Sequence, residues 1–255
     1  MEPDWKRPDA HVVILGVPVH AITFSGLLDT IATWIARGDR TYQICTASPE
    51  FVMIAQDDDA FMRVLRQADL CVADGVGLLL AARFLGRPLP ERVTGSDGLP
   101  LIAERAAQAG WKLFLLGAAP GVAEQAAANL TRRHPDLRIV GTYAGSPDPA
   151  EDDALVERIN ASQADILFVA YGAPRQDLWI ARNAPRLAVK VAIGVGGAID
   201  FAAGRVPRAP RWMQRLGLEW LYRLYREPWR WRRMLRLPRF VWSVVRHREQ
   251  ALSEK

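Results

Sequence analysis

An aspartate stands between a short apolar run and two glycines in Leu70-Cys71-Val72-Ala73-Asp74-Gly75-Val76-Gly77. Glycine lets a ligand approach the backbone closely, and a carboxylate at the end of a strand can take a proton as a general base. The same pattern also suits an aspartate that caps the next helix, with the glycines shaping the turn. Four further loops follow strand-like runs and are rich in polar or glycine residues: Thr46-Ala47-Ser48-Pro49-Glu50, Gly117-Ala118-Ala119-Pro120-Gly121, Gly172-Ala173-Pro174-Arg175-Gln176-Asp177 and Gly194 to Asp200. Gly117 to Gly121 can turn backbone N–H groups toward a phosphate at a helix N-terminus, although ordinary strand-to-helix turns look alike. Gly75-Val76-Gly77 lacks the third glycine of a dinucleotide fingerprint, and the chain has no phosphate-binding Gly-x-x-x-x-Gly-Lys-Ser/Thr run.

Asp57-Asp58-Asp59 invites a metal reading, but its apolar neighbours recur at helical spacing, so a solvated helix face is expected. His11, His20, His134 and His247 are scattered without ligand spacing, and no Gly-x-Ser-x-Gly elbow occurs. No catalytic metal, no cofactor and no covalent nucleophile are therefore expected.

The elements that must position these loops alternate. Strand-like runs fall at Val12–Leu15, Tyr42–Cys45, Leu70–Val72, Lys112–Leu116, Arg138–Thr142, Asp165–Tyr171 and Val189–Val195. Helical spacing marks Ser25–Ala36, Phe51–Gln67, Leu99–Ala109, Val122–Arg133 and Asp152–Ser162. Ser48-Pro49-Glu50 reads as a cap followed by a proline at the first helical position. This alternation predicts an α/β fold with a largely parallel sheet, Rossmann-like, whose ligands lie beyond the carboxyl ends of the strands.

Charge divides the 255 residues unevenly. Residues 1–204 hold 19 Lys and Arg against 24 Asp and Glu, whereas residues 205–255 hold 14 against 4, with thirteen arginines and five of the nine tryptophans. The expected organisation is a slightly acidic, Rossmann-like body over 1–204 and a basic, aromatic, helical appendage over 205–255, broken at Pro228 and Pro238. Arginine suits phosphate, tryptophan suits a membrane interface, and both together suit single-stranded nucleic acid; a packed surface helix is the plainer reading. Two cysteines make no disulfide scaffold, no run reaches the ~18 apolar residues of a spanning helix, and the acidic, proline-containing N-terminus is not expected to be a secretory signal.

Taken in order, Thr46 to Glu50, Ala73 to Gly77, Glu91-Arg92-Val93-Thr94-Gly95-Ser96-Asp97, Phe114 to Gly117, Gly172 to Asp177, Gly194 to Asp200, Arg208-Ala209-Pro210-Arg211-Trp212 and Gly217 to Arg223 resemble the WecG/TagA/CpsF family of bacterial glycosyltransferases across nearly the whole chain. The resemblance implies a metal-independent, inverting transfer of N-acetylmannosamine, its uronic acid or a hexose. The donor would be a UDP-sugar, the acceptor a polyprenyl-diphosphate-linked sugar, and the product a cell-surface polymer such as teichoic acid or exopolysaccharide. It places the base on Asp74, with Thr46, Gln176 and Arg92 beside it as catalytic residues. Substrate contacts fall on Ser48, Gly75, Gly117, Asp200 and the appendage arginines Arg223, Arg230 and Arg233. Ser48 stands where the family usually has Asn, and Pro174-Arg175-Gln176-Asp177 where it usually has Pro-Lys-Gln-Glu.

The implied enzyme is cytoplasmic and peripheral on the inner face of the bacterial membrane, on an anionic lipid surface. Homo-oligomerisation is left open. A nucleic-acid-binding protein using the basic tail is the alternative, and a Rossmann oxidoreductase or epimerase is a second; under the family reading no nucleic acid is expected as partner.

Overall fold

The computed structural model describes residues 11–210, 212–213, 218–228, 231–246 and 248, without the side chains of Arg223, Arg232 and Arg233. Six parallel strands form the sheet: β3 (Tyr42–Ala47), β4 (Leu70–Ala73), β5 (Lys112–Gly117), β6 (Arg138–Tyr143), β7 (Ile166–Ala170) and β8 (Val191–Gly194), in the order β4-β3-β8-β7-β5-β6. All residues of β3, β4 and β8 are buried, which explains their continuous apolar runs: helices cover both faces. The α/β, Rossmann-like architecture expected from the alternation is present.

One face carries α1 (Phe24–Arg37), α5 (Gly95–Ala109), α6 (Val122–Arg133) and α9 (Ala198–Ala202), whose Leu27, Ile31, Leu99, Ile102, Ala126 and Ile199 pack on Ile44, Val72, Leu115 and Ile193. The other face carries α2 (Pro49–Asp57), α3 (Asp59–Gln67) and α4 (Val76–Phe84) over the β3–β4 half, and α7 (Asp152–Ala161) and α8 (Arg175–Asn183) over the remainder. Ser48 caps α2 by accepting from the Phe51 N–H at 3.3 Å, and Pro49 follows at the first helical position, as expected.

Several local expectations are corrected. Phe51–Gln67 is two helices, because Asp58 leaves the helical region (φ −139°, ψ 97°) and its carboxylate caps α3 at the Phe61 N–H, 3.0 Å away. Asp57–Asp59 is therefore a helix junction and not one solvated face. Among the described residues no three His, Cys, Asp or Glu side chains cluster as metal ligands. An antiparallel hairpin, β1 (His11–Ile14) with β2 (Val17–His20), precedes the sheet; its two-residue turn puts Leu15 and Gly16 at φ 50° and 82°. The imidazole Nδ1 of His20 accepts from the Cys71 N–H at 3.0 Å, occupying a donor on the outer edge of β4.

The described appendage contains α10 (Glu219–Arg226), α11 (Trp231–Met234) and α12 (Arg236–Arg246). Pro228 lies between α10 and α11 as expected. Pro238 does not break a helix: it sits in the first turn of α12, where an N–H has no intrahelical partner to lose. α12 packs on α2 and buries Phe240 and Val244 among Val52, Met53 and the hairpin valines. Arg236 pairs with Glu50 at 2.9 Å, and Arg239 forks onto Asp57 at 2.8 and 2.9 Å. The exposed Arg239–Asp57 pair contributes below ~1 kcal/mol, so the apolar contacts dominate this docking. Phe240→Ala is expected to lower stability by ~3–5 kcal/mol, read as a drop in denaturation midpoint. A midpoint unchanged from wild type would show that α12 is not seated in solution.

Candidate active site

A cavity of about 600 Å³ opens beyond the carboxyl ends of β4, β3, β8 and β7. Asp74, the residue after β4, lines it. Its Oδ2 accepts from the Gly95 N–H at 3.0 Å, at the N-terminus of α5. Burial pushes the Asp74 pKa up to about 6. The Gly95 bond and the Arg92 charge oppose that rise, and the nearby Glu219 and Asp97 reinforce it. A carboxylate so placed is ionised at neutral pH and holds its proton far better than a solvated aspartate.

Thr46 ends the same sheet face one strand away. Its hydroxyl donates to the Gly194 carbonyl at 2.7 Å, tying β3 to the end of β8. Ser48 lines the cavity while capping α2, and Gly75 (φ 151°) begins α4. A Cβ at Gly77 would stand 2.6 Å from Pro49 Cγ, so glycine lets the N-termini of α2 and α4 converge on the cavity. Helix N-termini carry partial positive charge and suit anionic ligands.

Gln176, at the start of α8, is almost fully buried. Its Oε1 accepts from Gly172 at 3.1 Å and Gly196 at 2.9 Å, joining the loops after β7 and β8. Two N–H donors fix which end of the amide is oxygen. Beneath it, Asp177 is fully buried and neither carboxyl oxygen has a hydrogen-bond partner among the described residues. Burial pushes its pKa up to about 7, against a weaker pull from Cys45 and Gln176.

Asp200 of α9 also lines the cavity, as do Arg92 and Glu219, which pair at 2.9 Å. The outer wall comes from the appendage, including Trp220, Tyr222, Arg226, Met234 and Leu237.

Asp74, Thr46, Gln176, Arg92, Ser48, Gly75 and Asp200 thus share one cavity, as expected from a parallel sheet. Gly117 does not join them. It ends β5, and a Cβ there would lie 2.8 Å from the Ala170 backbone, so close strand packing accounts for the glycine. Arg230 lies outside the described residues, as do the side chains of Arg223 and Arg233. Glu50, Tyr171, Arg208, Glu219 and Arg226 were not singled out from the sequence. Three of them lie inside matched stretches, Thr46 to Glu50, Arg208 to Trp212 and Gly217 to Arg223, and that was the available signal.

A model of the WecG/TagA/CpsF glycosyl transferase family matches residues 12–253. The chain belongs to this family. Among curated relatives of this WecG/TagA/CpsF glycosyltransferase, the N-acetylglucosaminyldiphosphoundecaprenol N-acetyl-beta-D-mannosaminyltransferase of Bacillus spizizenii is 35% identical over 204 residues, covering 80% of this chain and 79% of the relative. The protein of the same name from Bacillus subtilis is 33% identical over 204 residues, 80% and 78% of the two chains. That from Staphylococcus aureus is 32% identical over 256 residues, covering both chains completely. Family membership displaces the nucleic-acid-binding and oxidoreductase alternatives. Among the described residues no helix is long and apolar enough to cross a membrane.

Proposed function

We propose that the protein transfers N-acetylmannosamine from a UDP donor to an N-acetylglucosaminyl-diphosphopolyprenol, inverting the anomeric centre without a metal, at the inner face of the bacterial membrane. The observation that carries this reading is Asp74, a carboxylate of raised pKa at the foot of a cavity ringed by helix N-termini and Arg92. The relatives' names supply the transferred sugar and the acceptor.

In this reading Asp74 takes the proton of the acceptor hydroxyl as that oxygen bonds to the sugar's anomeric carbon. The bond from that carbon to the UDP oxygen breaks on the opposite side, and the diphosphate leaves with the electron pair. Its growing charge meets Arg92, Arg226 and the N-termini of α2 and α4. Thr46 and Gln176 hold the β3, β7 and β8 loops around the sugar, and Ser48, Gly75 and Asp200 offer contacts. The appendage faces lipid with the exposed Trp220, Tyr225, Trp231 and Trp242 among its arginines. Arg223, Arg230 and Arg233 are assigned to the diphosphate from the family resemblance.

A panel of UDP-sugars with a short-chain N-acetylglucosaminyl-diphosphoprenol tests this, with UDP release as readout. UDP-N-acetylmannosamine is expected to turn over at the same rate in EDTA. Absence of UDP release with every donor would refute the reaction. Activity lost in EDTA and restored by Mg²⁺ or Mn²⁺ would refute metal independence.

A further inference from the structure

The C-terminal helices close the cavity, and two charged residues link them to Asp74 by a ring of contacts. Asp74 accepts from the Gly95 N–H. Gly95 follows Thr94, the cap of α5, whose hydroxyl accepts from the Asp97 N–H at 3.0 Å and donates to Asp97 Oδ2 at 2.7 Å. The other Asp97 oxygen is held by Arg208, in the segment between α9 and α10. The second arm of Arg208 reaches Glu219 Oε1 at 3.3 Å, and Glu219 Oε2 holds Arg92 at 2.9 Å. Arg92 returns its charge to Asp74. All four charged side chains beyond Asp74 remain only 22–30% exposed, so their fields are weakly screened.

We propose that Arg208 and Glu219 are positioning residues that couple the seating of the C-terminal helices to the basicity and orientation of Asp74. The inference rests on the reading of Asp74 as the base. Neither residue reaches Asp74 itself. Arg208 fixes the first turn of α5, and with it the Gly95 N–H; Glu219 holds Arg92 by its guanidinium. Withdrawal of α10 takes Glu219 from Arg92 and from Arg208 together, which leaves Arg92 and Arg208 to repartner around the carboxylate. A base tuned only when the wall is closed is set for transfer when substrate is enclosed and water is excluded.

The charged groups facing Asp74 are Arg92 from the segment before α5, Asp97 from α5 and Glu219 from α10. Glu50 of α2, Asp200 of α9 and Arg226 of α10 line the same cavity. Glu219 and Asp97 raise the Asp74 pKa and Arg92 lowers it. Removing the Glu219 charge frees Arg92 to favour the Asp74 carboxylate. Removing the Arg208 charge instead leaves two carboxylates unneutralised nearby.

The test is the pH profile of UDP release from UDP-N-acetylmannosamine and the short-chain acceptor, in full-length protein. Glu219→Gln is expected to move the acid limb to lower pH, and Arg208→Gln to move it to higher pH. Each should also cut kcat by on the order of 10²-fold, from misplacement of the reacting groups. Arg208→Lys, which keeps the charge but not the fork, should restore the limb and only part of kcat. Limbs that stay in place, or move the same way in both variants, would overturn the coupling and leave only a loosened wall. Asp74→Asn separates the two readings. A limb near pH 6 that survives in Asp74→Asn would remove Asp74 as base and overturn both; a limb lost there but unmoved in Glu219→Gln and Arg208→Gln overturns the coupling alone.

Discussion

Asp74→Asn is expected to slow sugar transfer by ~10²–10⁴-fold and, at neutral pH, to make the protein more stable. The amide keeps the shape and still accepts from Gly95, but it cannot take the acceptor's proton. The stability effect follows from the direction of the pKa change. In the unfolded chain the carboxyl titrates near 3.8, and in the folded chain at about 6. Below 3.8 both states carry the proton and burial costs little. Between these values the folded state alone stays protonated, so stability declines as pH rises through that window. Above about 6 the buried charge is fully costly, by at most ~3 kcal/mol and less where cavity water reaches the carboxylate. Asn removes that cost. Denaturation midpoints should therefore diverge between variant and wild type at pH 7.5 and converge near pH 4, while wild-type turnover falls as pH drops through about 6. Turnover near wild type in the variant would take Asp74 out of the reaction.

Asp74 was legible because its signal is local: a strand end, then glycine. The loops that carry Thr46, Gln176 and Asp200 were legible for the same reason, as the carboxyl ends of strands in a parallel sheet, while the residues themselves were picked out by the family resemblance. What escaped was set by contacts between distant segments. Nothing near Glu219 in sequence announces Arg92 as its partner. α4 was hidden by Gly75-Val76-Gly77, which looks like a loop until Pro49 is seen against Gly77. The hairpin strand Val17–His20 was missed because proline at its second position breaks the β-rich pattern. Asp58 breaks a helical period that runs on unaltered in the apolar residues either side of it. Gly117 misled in the opposite sense, since a glycine required by a neighbouring strand resembles one required by a ligand.

Ending the chain before Arg205 is expected to cut turnover by at least ~10²-fold, because Arg226 and the outer wall of the cavity are lost and with them charge stabilisation of the leaving group. Binding to anionic vesicles should collapse as well. The removed segment carries 14 cations and five tryptophans, and each cation near such a surface contributes ~1 kcal/mol. The body should stay folded and keep some affinity for UDP through α2, α4 and Arg92. Its stability should nonetheless fall, since burial of Phe240 and Val244 is worth ~1.5–3 kcal/mol apiece. Vesicle sedimentation, UDP release with a soluble acceptor and a thermal midpoint separate the three effects. A truncated body that turned over a soluble acceptor at the full rate would leave the appendage with lipid docking alone.

The strand order has a consequence for how the molecule comes into being. β3 bonds only to β4 and β8, and β7 only to β5 and β8. Without Val191–Gly194 the sheet is two separate pieces, one holding Thr46 and Asp74, the other Gln176. That joining strand is the last of the six to leave the ribosome. Until β8 is added the chain has both halves of the candidate site and no site, with the open edges of β3 and β7 awaiting the same partner. In the completed sheet Gly194 lies against Asp177 and Gln176, where a Cβ would stand 2.5 and 2.7 Å from their side-chain atoms. Every strand of that sheet precedes the basic segment in the chain, so the framework that brings Thr46, Asp74 and Gln176 together is complete in sequence before residue 205.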